Sequence, residues 1–464
     1  MKAQLTGNTY KKGLTRRATT EGMATLEILI AFAVLILCIS AVIMVAFGNQ
    51  SVAVDSQINS EAISKAQKML EDARASSRGN WDKVVSFSQS DNFYTEDLEI
   101  GNVDDFIKSV SSKVSWQIDG RIHNVELSSM FTDWKNASTQ GACADTAENT
   151  WANPSIAGLV NLGITGPATG VDVKDGIAYV TADGDGTAPD FFVIDVVSNP
   201  PQILHTLDTG PGLVGIRVSG DYAYVANTSS SNQLQVIDLN SLTKKIYKLP
   251  GSTNGNTSSI YYYNHKVYLG TATSAIAEFH IIDVGDISDI HEIGTFELGL
   301  KVNNIYVSNG YAFLATPDNN EELKILDVRN PAHIELLPGF DAPGSNGNGE
   351  GLARKNNKIF LGRALGNIEL YVLDINNMEN GALTSQNIDS SIKAMATMGN
   401  LVFLATTDTT KEFQVWKLSG GSSSFSFTSS LDLTGKATSI DCEGQTMYVT
   451  IEDPTNGLNI ISSN

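Results

Sequence analysis

The sequence has few of the residue types on which catalytic and metal sites depend. Only six of the 464 residues are histidine and three are cysteine. The histidines are scattered without the spacing of metal ligands, at His123, His205, His265, His280, His291 and His333. No G-x-S-x-G nucleophile elbow occurs. The glycine-rich GSNGNGEG, residues 344–351, lies between two strand-like segments and is interpreted as a loop. These absences argue against an enzyme.

Basic residues are also scarce. The chain has 31 Lys and Arg against 51 Asp and Glu, a formal net charge of −20. Nucleic-acid partners are excluded, because phosphates require clustered Lys and Arg. The excess of acid favours solubility through mutual repulsion.

The longest apolar run extends from Met23 to Phe47 and contains one charge, Glu27. A helix of this length crosses a hydrocarbon core of about 30 Å. The preceding segment holds five basic residues and one acid, which predicts a cytoplasmic N-terminus. A secretory signal peptide and a plain signal anchor are alternatives, but neither needs a carboxylate within the run.

The segment GMATLE, residues 22–27, resembles the class III signal of type IV pilins and pseudopilins. The resemblance implies that a prepilin peptidase cuts after Gly22 and that the new N-terminus at Met23 is methylated. Glu27 then becomes the fifth mature residue. In this family the first mature residue is usually Phe, and Met23 departs from that pattern. In a bundle of staggered helices, Glu27 can pair with the Met23 amine of a neighbouring subunit.

Helical spacing continues outside the membrane to about residue 75 and fades at SSRGN, residues 76–80. Residues 113–131 predict two strands around Asp119-Gly120, a strong hairpin signal. A long helix on a small antiparallel sheet resembles the pilin globular domain, and this segment resembles minor pilins of the PilV type. An unrelated α+β spacer is the alternative. The predicted divisions are a leader (1–22), a filament-core helix (23–47), an extracytoplasmic pilin domain (48–137) and a linker (138–154).

The remainder of the chain repeats at intervals of about 45 residues. Seven related words follow one another: GIAYVTA, DYAYVAN, HKVYLGT, GYAFLAT, NKIFLGR, NLVFLAT and QTMYVTI. A second word, such as FFVIDV or LQVIDL, follows each of them. Four strands per unit predict a seven-bladed β-propeller over residues 155–464. The sequence pattern of these repeated segments resembles LVIVD-type repeats. The fold class expected is therefore a long helix with a small α+β domain, followed by an all-β propeller.

The seventh unit has only three strands before the chain ends, so residues 155–166 are expected to supply its outer strand and close the ring. Cys143 precedes that strand and Cys442 lies in the seventh unit, which predicts a disulfide between them in an oxidising compartment. Two free thiols are the alternative. Cys38, within the apolar run, is expected to be unpaired.

One loop, DGDGTAPD at residues 183–190, offers carboxylates for Ca²⁺ through Asp183, Asp185 and Asp190. It lacks the full spacing of an EF-hand, and a turn with solvated acids is the alternative. No other cofactor is expected. The aspartates of the second words are interpreted as caps of strand-end turns.

These features predict a minor pilin or tip adhesin that presents a propeller as a binding head. Alternatives are a pseudopilin that recognises an exported protein, a major pilin, and a propeller enzyme that acts on a surface polymer. The expected partners are other pilin subunits, prepilin peptidase and an unknown surface receptor, glycan or exported protein. The precursor is expected in the cytoplasmic membrane and the mature chain in a pilus or periplasmic pseudopilus.

Overall fold

The computed structural model describes residues 21–79, 81, 84–91, 93–102, 107–118, 120–133, 143–144, 146–164, 166–184, 186–251, 256–344, 347–419, 424–453 and 455–463. Within helix α1 (Glu21–Gly79) the side chains of residues 21–27 and 47–54 are not described. The helix therefore includes the backbone of Gly22, Met23 and Glu27, but their predicted roles lie outside the described side chains. Asp185 also lies outside the described residues.

Helix α1 is continuous over 59 residues and changes character along its length. Every described side chain from Ile28 to Ala46 is exposed, and this stretch is long and apolar enough to cross a membrane. Further along, buried residues recur at spacings of three and four, which place them on one face of the helix; they are Ala62, Ala66, Met69 and Ala73.

A four-stranded sheet follows the helix. Its strands are β1 (Phe87–Ser90), β2 (Tyr94–Asn102), β3 (Ile107–Ile118) and β4 (Arg121–Thr132), and they are adjacent in that order. The predicted pair of strands around Gly120 is present, longer than the sequence suggested. β3 alternates between buried and part-exposed residues, so one face of the sheet is covered. The two preceding strands, β1 and β2, were not predicted.

The described chain divides into two compact units. The first comprises residues up to Met69 together with Ser88–Asp97 and Ser112–Leu127, and the second comprises the rest. In the first unit, Lys65 Nζ lies 2.8 Å from Glu96 Oε1. Ser112 Oγ donates a hydrogen bond of 3.0 Å to the Ala66 carbonyl. These two polar contacts fix the helix against the sheet strands of the same unit.

The region from residue 154 to residue 463 forms seven sheets of four strands each. In chain order, the strands are β5 (Pro154–Val160), β6 (Ala168–Lys174), β7 (Ile177–Ala182), β8 (Phe191–Asp195), β9 (Gln202–Leu207), β10 (Leu213–Ser219), β11 (Tyr222–Asn227), β12 (Leu234–Asp238), β13 (Thr243–Tyr247), β14 (Thr257–Tyr263), β15 (Lys266–Thr271), β16 (Phe279–Asp283), β17 (His291–Phe296), β18 (Asn304–Ser308), β19 (Tyr311–Ala315), β20 (Leu323–Asp327), β21 (Glu335–Phe340), β22 (Asn348–Lys355), β23 (Lys358–Ala364), β24 (Leu370–Asp374), β25 (Ala382–Gln386), β26 (Ile392–Met398), β27 (Leu401–Thr406), β28 (Phe413–Ser419), β29 (Ser424–Leu431), β30 (Ala437–Glu443), β31 (Thr446–Ile451) and β32 (Leu458–Ser463). A short 3-10 turn, Met378–Asn380, precedes β25.

We number the sheets 1 to 7, from β6–β9 to the sheet that contains β30, β31, β32 and β5. The first strand of each sheet contacts the first strand of the next, and β30 contacts β6, so the contacts form a closed cycle. β5 pairs antiparallel with β32, from Pro154 opposite Ser463 to Val160 opposite Leu458. The fold is a β-propeller. The closing strand ends at Val160, earlier than the expected residue 166.

The local sequence favours tight turns between the first two strands of several sheets. Asp175 and Gly176 have φ angles of 52° and 73°, and Asn309 and Gly310 have 51° and 80°. Two successive residues at positive φ match a type I′ hairpin, which suits Asp-Gly and Asn-Gly pairs.

The hydrophobic core lies between neighbouring sheets. In one cluster, Val171 and Val173 of sheet 1 pack with Tyr448, Leu458 and Ile460 of sheet 7. The apolar residues of the repeated words fill these interfaces, because the second and third strands of each sheet, such as β7 and β8, are largely buried on both faces. The junction between the first and last repeats therefore has the same kind of core as the junctions between consecutive repeats.

The described part of residues 138–154, which the sequence suggested to be a linker, is held against the propeller. Cys143 forms a disulfide with Cys442, with a Cα–Cα distance of 5.0 Å. The Ala144 amide donates a hydrogen bond of 2.8 Å to the Gly444 carbonyl.

Trp151 completes the attachment of this segment. Its side chain is 0% exposed, and its ring centroid lies 4.8 Å from that of Phe403. Ser429 Oγ donates a hydrogen bond of 2.5 Å to the Trp151 carbonyl. The sequence suggested a linker of small and polar residues tied by the disulfide, and the buried tryptophan is a second attachment that it did not indicate.

Candidate functional site

The seven first strands bring one residue each to the same register, opposite the aromatic residue of the first repeated word. This set, here called the channel ring, consists of Asp172, Arg217, Tyr261, Tyr306, Ala353, Ala396 and Asp441. Apolar neighbours on each strand pack between sheets, and so do the two alanines of the set, Ala353 and Ala396. Five of the seven positions are polar, which is unusual for the centre of a domain.

Two of the acids in the channel ring touch each other. Asp172 and Asp441 are hydrogen-bonded to one another, and burial raises the pKa of both carboxyls. The Asp172 charge raises the pKa of Asp441 further. Two carboxyls in contact cannot both ionise at low cost, so each acid opposes the ionisation of the other. Asp441 also accepts a hydrogen bond of 2.6 Å from the Val173 amide, and Asp172 accepts one from the Val218 amide.

The remaining polar members continue from the acids around the ring. The attraction of Arg217 lowers the pKa of both acids, against the effect of burial. The Arg217 guanidinium lies 5.7 Å from the centre of the Tyr261 ring, and the Tyr261 and Tyr306 rings are 5.0 Å apart. Burial raises the pKa of both tyrosines, so they remain neutral hydroxyls.

A cavity opens at one end of this channel, with Arg217 among its lining residues. Its volume is about 240 Å³, and all seven sheets or their connecting segments contribute to it. Small residues at the next level of the inner strands make the space. A Cβ on Gly170 would lie 3.1 Å from the Gly215 Cα, which shows how closely these two strands approach. We call this space the channel mouth.

Charged groups border the channel mouth. Lys393 Nζ lies 2.5 Å from Glu350 Oε2, and both side chains are part-exposed. Lys301 is exposed, and the described residues offer it no ion pair or side-chain hydrogen bond. The mouth therefore carries one uncompensated positive charge in a chain whose net charge is −20.

Three polar side chains of the mouth donate hydrogen bonds to backbone carbonyls of the protein. Ser258 Oγ donates to the Val302 carbonyl at 2.6 Å, and Thr438 Oγ1 donates to the Ala168 carbonyl at 2.7 Å. Asn303 Nδ2 donates to the Gly349 carbonyl at 2.8 Å. Because a hydroxyl has one proton to donate, its outward capacity is that of an acceptor.

A second cavity of about 480 Å³ lies at the other end of the first strands of sheets 5 and 6. Lys355, Lys358, Leu401 and Leu418 are among its lining residues. It is larger than the channel mouth but involves only two sheets, and residues 420–423 beside it lie outside the described part. The convergence of all seven sheets makes the channel mouth the better candidate.

The aspartates of the second repeated words cap turns, as predicted. Asp195 accepts hydrogen bonds from the Val197 and Ser198 amides. Asp238 does the same for the Asn240 and Ser241 amides. These carboxylates are occupied by backbone donors and form no shared site.

Another polar position, occupied by an acid in five of the first six sheets and by glutamine in the other, was missed by the sequence reasoning. A buried polar residue immediately before the third strand accepts a backbone hydrogen bond from the end of the fourth strand. The acceptors in successive sheets are Asp190, Gln233, Glu278, Glu322, Glu369 and Glu412. The signal was present in words such as EFHIID and EFQVWKL, in which an acid precedes an apolar strand. We call these residues the strand caps.

The strand-cap role bears on the proposed Ca²⁺ loop. Asp190 is 1% exposed, and its two carboxylate oxygens accept hydrogen bonds from the Thr209 amide at 2.7 Å and the Thr209 hydroxyl at 3.0 Å. Asp183 is exposed at the end of sheet 1, and Asp185 is outside the described residues. Among the described residues, no group of three or more His, Cys, Asp or Glu is placed to hold a metal ion. In the structure Asp190 therefore acts as a strand cap, whereas the loop sequence suggested a Ca²⁺ ligand.

One strand cap carries an additional ion pair. Arg363 Nη2 lies 2.6 Å from Glu322 Oε1, and both side chains are almost fully buried. The other oxygen of Glu322 accepts a hydrogen bond of 2.8 Å from the Ala342 amide. Burial raises the pKa of Glu322, while Arg363 and the Ala342 amide lower it. This pair joins sheet 4 to sheet 5.

Comparisons with known proteins agree with this architecture. A family model described as the LVIVD repeat matches residues 214–245 and 300–341. No curated protein matches the chain.

Two solved structures are similar to the propeller. A structure of U3-55K has a TM-score of 0.54 and 12% identity and covers 67% of this chain and 99% of its own. A crystal structure of RRP9 WD40 repeats has a TM-score of 0.54 and 13% identity and covers 68% of this chain and 98% of its own. At this level of identity the similarity shows the fold alone.

Proposed function

We propose that the chain is a minor subunit of a type IV pilus-like filament that presents a seven-bladed β-propeller as a binding head, and that it is not an enzyme. The observation that carries this proposal is the change of character along α1. Its first part, Ile28–Ala46, is apolar with exposed side chains, and its later part buries one face. An exposed apolar helix needs lipid or other helices as a cover, and a filament core supplies the second.

The class III signal in GMATLE supports the same proposal. Glu27 is costly in a lone membrane span, but it can pair with the free amine of Met23 on an adjacent subunit. The sheet β1–β4, with α1 lying against it in the first unit, corresponds to the domain that a pilin carries outside the membrane. The Cys143–Cys442 disulfide fits an oxidising compartment.

The working surface of the head is the channel mouth. Loops and strand ends from all seven sheets meet there around a polar, positively charged cavity. Propellers present such convergent surfaces for binding. We propose that this surface recognises a surface receptor or glycan.

The N-terminus of the mature chain tests the assembly part. We expect mass spectrometry of the native protein to show a methylated Met23 as its first residue. Gly22→Leu should leave the leader attached. An intact Met1, or cleavage at any other position, would contradict the proposal.

Glu27→Leu tests the role of the carboxylate. We expect the variant to be processed and retained in the membrane but absent from sheared filaments. The matched control is Glu61→Leu, which changes an acid of the same helix beyond the apolar stretch and should leave filament incorporation unchanged. Equal incorporation of Glu27→Leu and wild type would refute the register role.

Imaging of shed filaments with an antibody against residues 151–464 distinguishes the positions of the head. Label at filament ends supports a tip-located minor subunit. Label along the whole shaft would make the chain a major pilin, and label confined to the cell envelope would make it a pseudopilin.

A further inference from the structure

We propose that the channel mouth binds a sugar that carries a carboxylate, one acidic monosaccharide unit at a time. The inference deepens the binding role proposed for the head and rests on it. It follows from the charge of the mouth, from the direction of its hydrogen bonds and from its size.

The charges select an anionic group. In the channel ring, Arg217 already has carboxyl neighbours, because it is attracted to both Asp172 and Asp441. At the rim, Glu350 balances Lys393 at 2.5 Å. Lys301 has no such partner among the described residues and remains positive. A ligand carboxylate can therefore pair with Lys301, and it would share Lys393 with Glu350.

The hydrogen bonds select a ligand rich in hydroxyls. Ser258 and Thr438 have donated their protons to backbone carbonyls, at 2.6 Å and 2.7 Å. The lone pairs of these side chains that face the cavity can accept but not donate. One amide proton of Asn303 is engaged in the same way, and its Oδ1 is an acceptor.

This polarity distinguishes between two classes of anion. A phosphate or a simple carboxylate can approach the two lysines, but it presents no hydroxyl protons to the acceptor oxygens of Ser258 and Thr438. A sugar acid presents both its hydroxyl protons to the wall and its carboxylate to the lysines. Unsatisfied polar groups in a cavity cost free energy, so the mismatch counts against the simple anions.

The size limits the bound unit. A volume of about 240 Å³ is below the usual range of about 300–1,000 Å³ for larger organic ligands. One ring fits, and the rest of a polymer would extend outwards past the rim. A chain end or a side branch of an acidic polysaccharide is therefore a better ligand than its interior.

The test uses the full chain in detergent micelles and isothermal titration calorimetry. The probes are D-galacturonic acid, D-galactose and acetate, with inorganic phosphate as a further anion. We expect galacturonic acid to bind about fivefold more tightly than galactose, and acetate and phosphate not to bind measurably. Equal affinity for galactose and galacturonic acid would overturn the proposal, and so would binding of phosphate but not galacturonic acid.

Two substitutions at the rim should change the affinity for galacturonic acid in opposite directions. Lys301→Gln should weaken galacturonic acid binding about fivefold and leave galactose binding unchanged. Glu350→Gln should have the opposite sign and strengthen galacturonic acid binding, because it frees Lys393. The matched control is Lys417→Gln, an exposed lysine of β28 that does not line the mouth. It should change neither affinity.

The outcomes separate this inference from the assembly proposal. Filament incorporation and the position of the mature N-terminus do not depend on the ligand. If Lys301→Gln leaves galacturonic acid affinity unchanged while the chain still enters filaments, the ligand class is wrong and the assembly role stands. If the chain binds galacturonic acid but keeps Met1, the assembly role is wrong and the site stands.

Discussion

Asp172 and Asp441 come from the first and the last repeat of the chain, and their side chains are hydrogen-bonded to each other where the propeller closes. Each carboxyl also accepts an amide hydrogen bond from the next first strand. The pair therefore connects three successive first strands at the axis. Protonation of this pair therefore makes the stability of the closed propeller depend on pH.

The raised pKa of Asp441 sets the sign of that coupling. Its folded-state pKa lies above the ordinary value of 3.8, so the folded protein holds a proton that the unfolded chain releases. Stability from this group is present at low pH and is lost as pH rises through the folded pKa. We expect Asp441→Asn to raise the unfolding midpoint relative to wild type at about pH 8, with a smaller gain at about pH 5.

Asp441→Ala is the matched control for that substitution. It removes the acceptor of the Val173 amide, which asparagine keeps, and should cost about 1–3 kcal/mol of stability. Circular dichroism during heating measures both variants. A pH-independent difference between Asp441→Asn and wild type would contradict the raised pKa of Asp441.

Reduction of the Cys143–Cys442 disulfide should destabilise the propeller. The bridge closes a loop with a sequence separation of 299 residues, and a cross-link of this kind stabilises by a few kcal/mol. We expect the Cys143→Ser, Cys442→Ser double variant to unfold at lower urea concentration than the oxidised wild type. Tryptophan fluorescence reports the transition. Cys38→Ser, which changes the exposed free cysteine, should leave the midpoint unchanged.

Glu322→Gln should be more damaging than the same change at another strand cap. It leaves Arg363 buried without a counter-charge, and loss of one partner of a buried pair costs about 3–5 kcal/mol. Glu412 caps Leu433 at 2.9 Å, and none of the described residues forms an ion pair with it. Its replacement by glutamine keeps an oxygen acceptor and should cost less than about 1 kcal/mol. Equal losses in chemical denaturation would mean that the ion pair contributes nothing beyond the cap.

The contact between Lys65 and Glu96 predicts an acid-sensitive junction in the first unit. The hydrogen bond from Lys65 lowers the pKa of Glu96 below its ordinary value of 4.5. Stability from Glu96 is therefore present above pH 4.5 and is lost as pH falls through the lower folded pKa. Glu96→Gln should remove up to about 1 kcal/mol at neutral pH and nothing at low pH.

Hydrogen exchange of the α1 amides around Lys65 measures this effect. The control is Glu71→Gln, which removes an exposed pair with Arg74 on the same helix. It should not change protection at either pH. Faster exchange in Glu96→Gln at low pH as well as at neutral pH would contradict the electrostatic explanation.

The periodic parts of this chain were predictable because their signals are redundant. The repeated word that contains Tyr179, Tyr224 and its counterparts recurs, so errors at one position do not hide the pattern. The apolar run at Ile28–Ala46 is similarly unambiguous. The turn-capping role of Asp195 followed from its position after a buried strand.

The candidate site was not predictable, because its members are unlike one another. Equivalent positions of the channel ring hold Asp172, Arg217, Tyr261 and Ala353, and only the closed cycle of strands brings them to one level. The docking of Trp151 was missed for a related reason. Its partners Phe403 and Ser429 lie far along the chain, and no local pattern in residues 143–153 indicates them.

The attachment of residues 143–153 determines how the head would respond to pulling. Within the described part of residues 134–154, tension transmitted along the backbone from the N-terminal side reaches the propeller first at Cys143, which is bonded to the innermost strand of sheet 7. The closing strand β5 begins after this anchor, at Pro154. The force therefore bypasses β5, which would otherwise be peeled from β32 one hydrogen bond at a time. A load applied to the head through a bound surface would therefore not separate β5 from β32, the strand pair that closes the propeller.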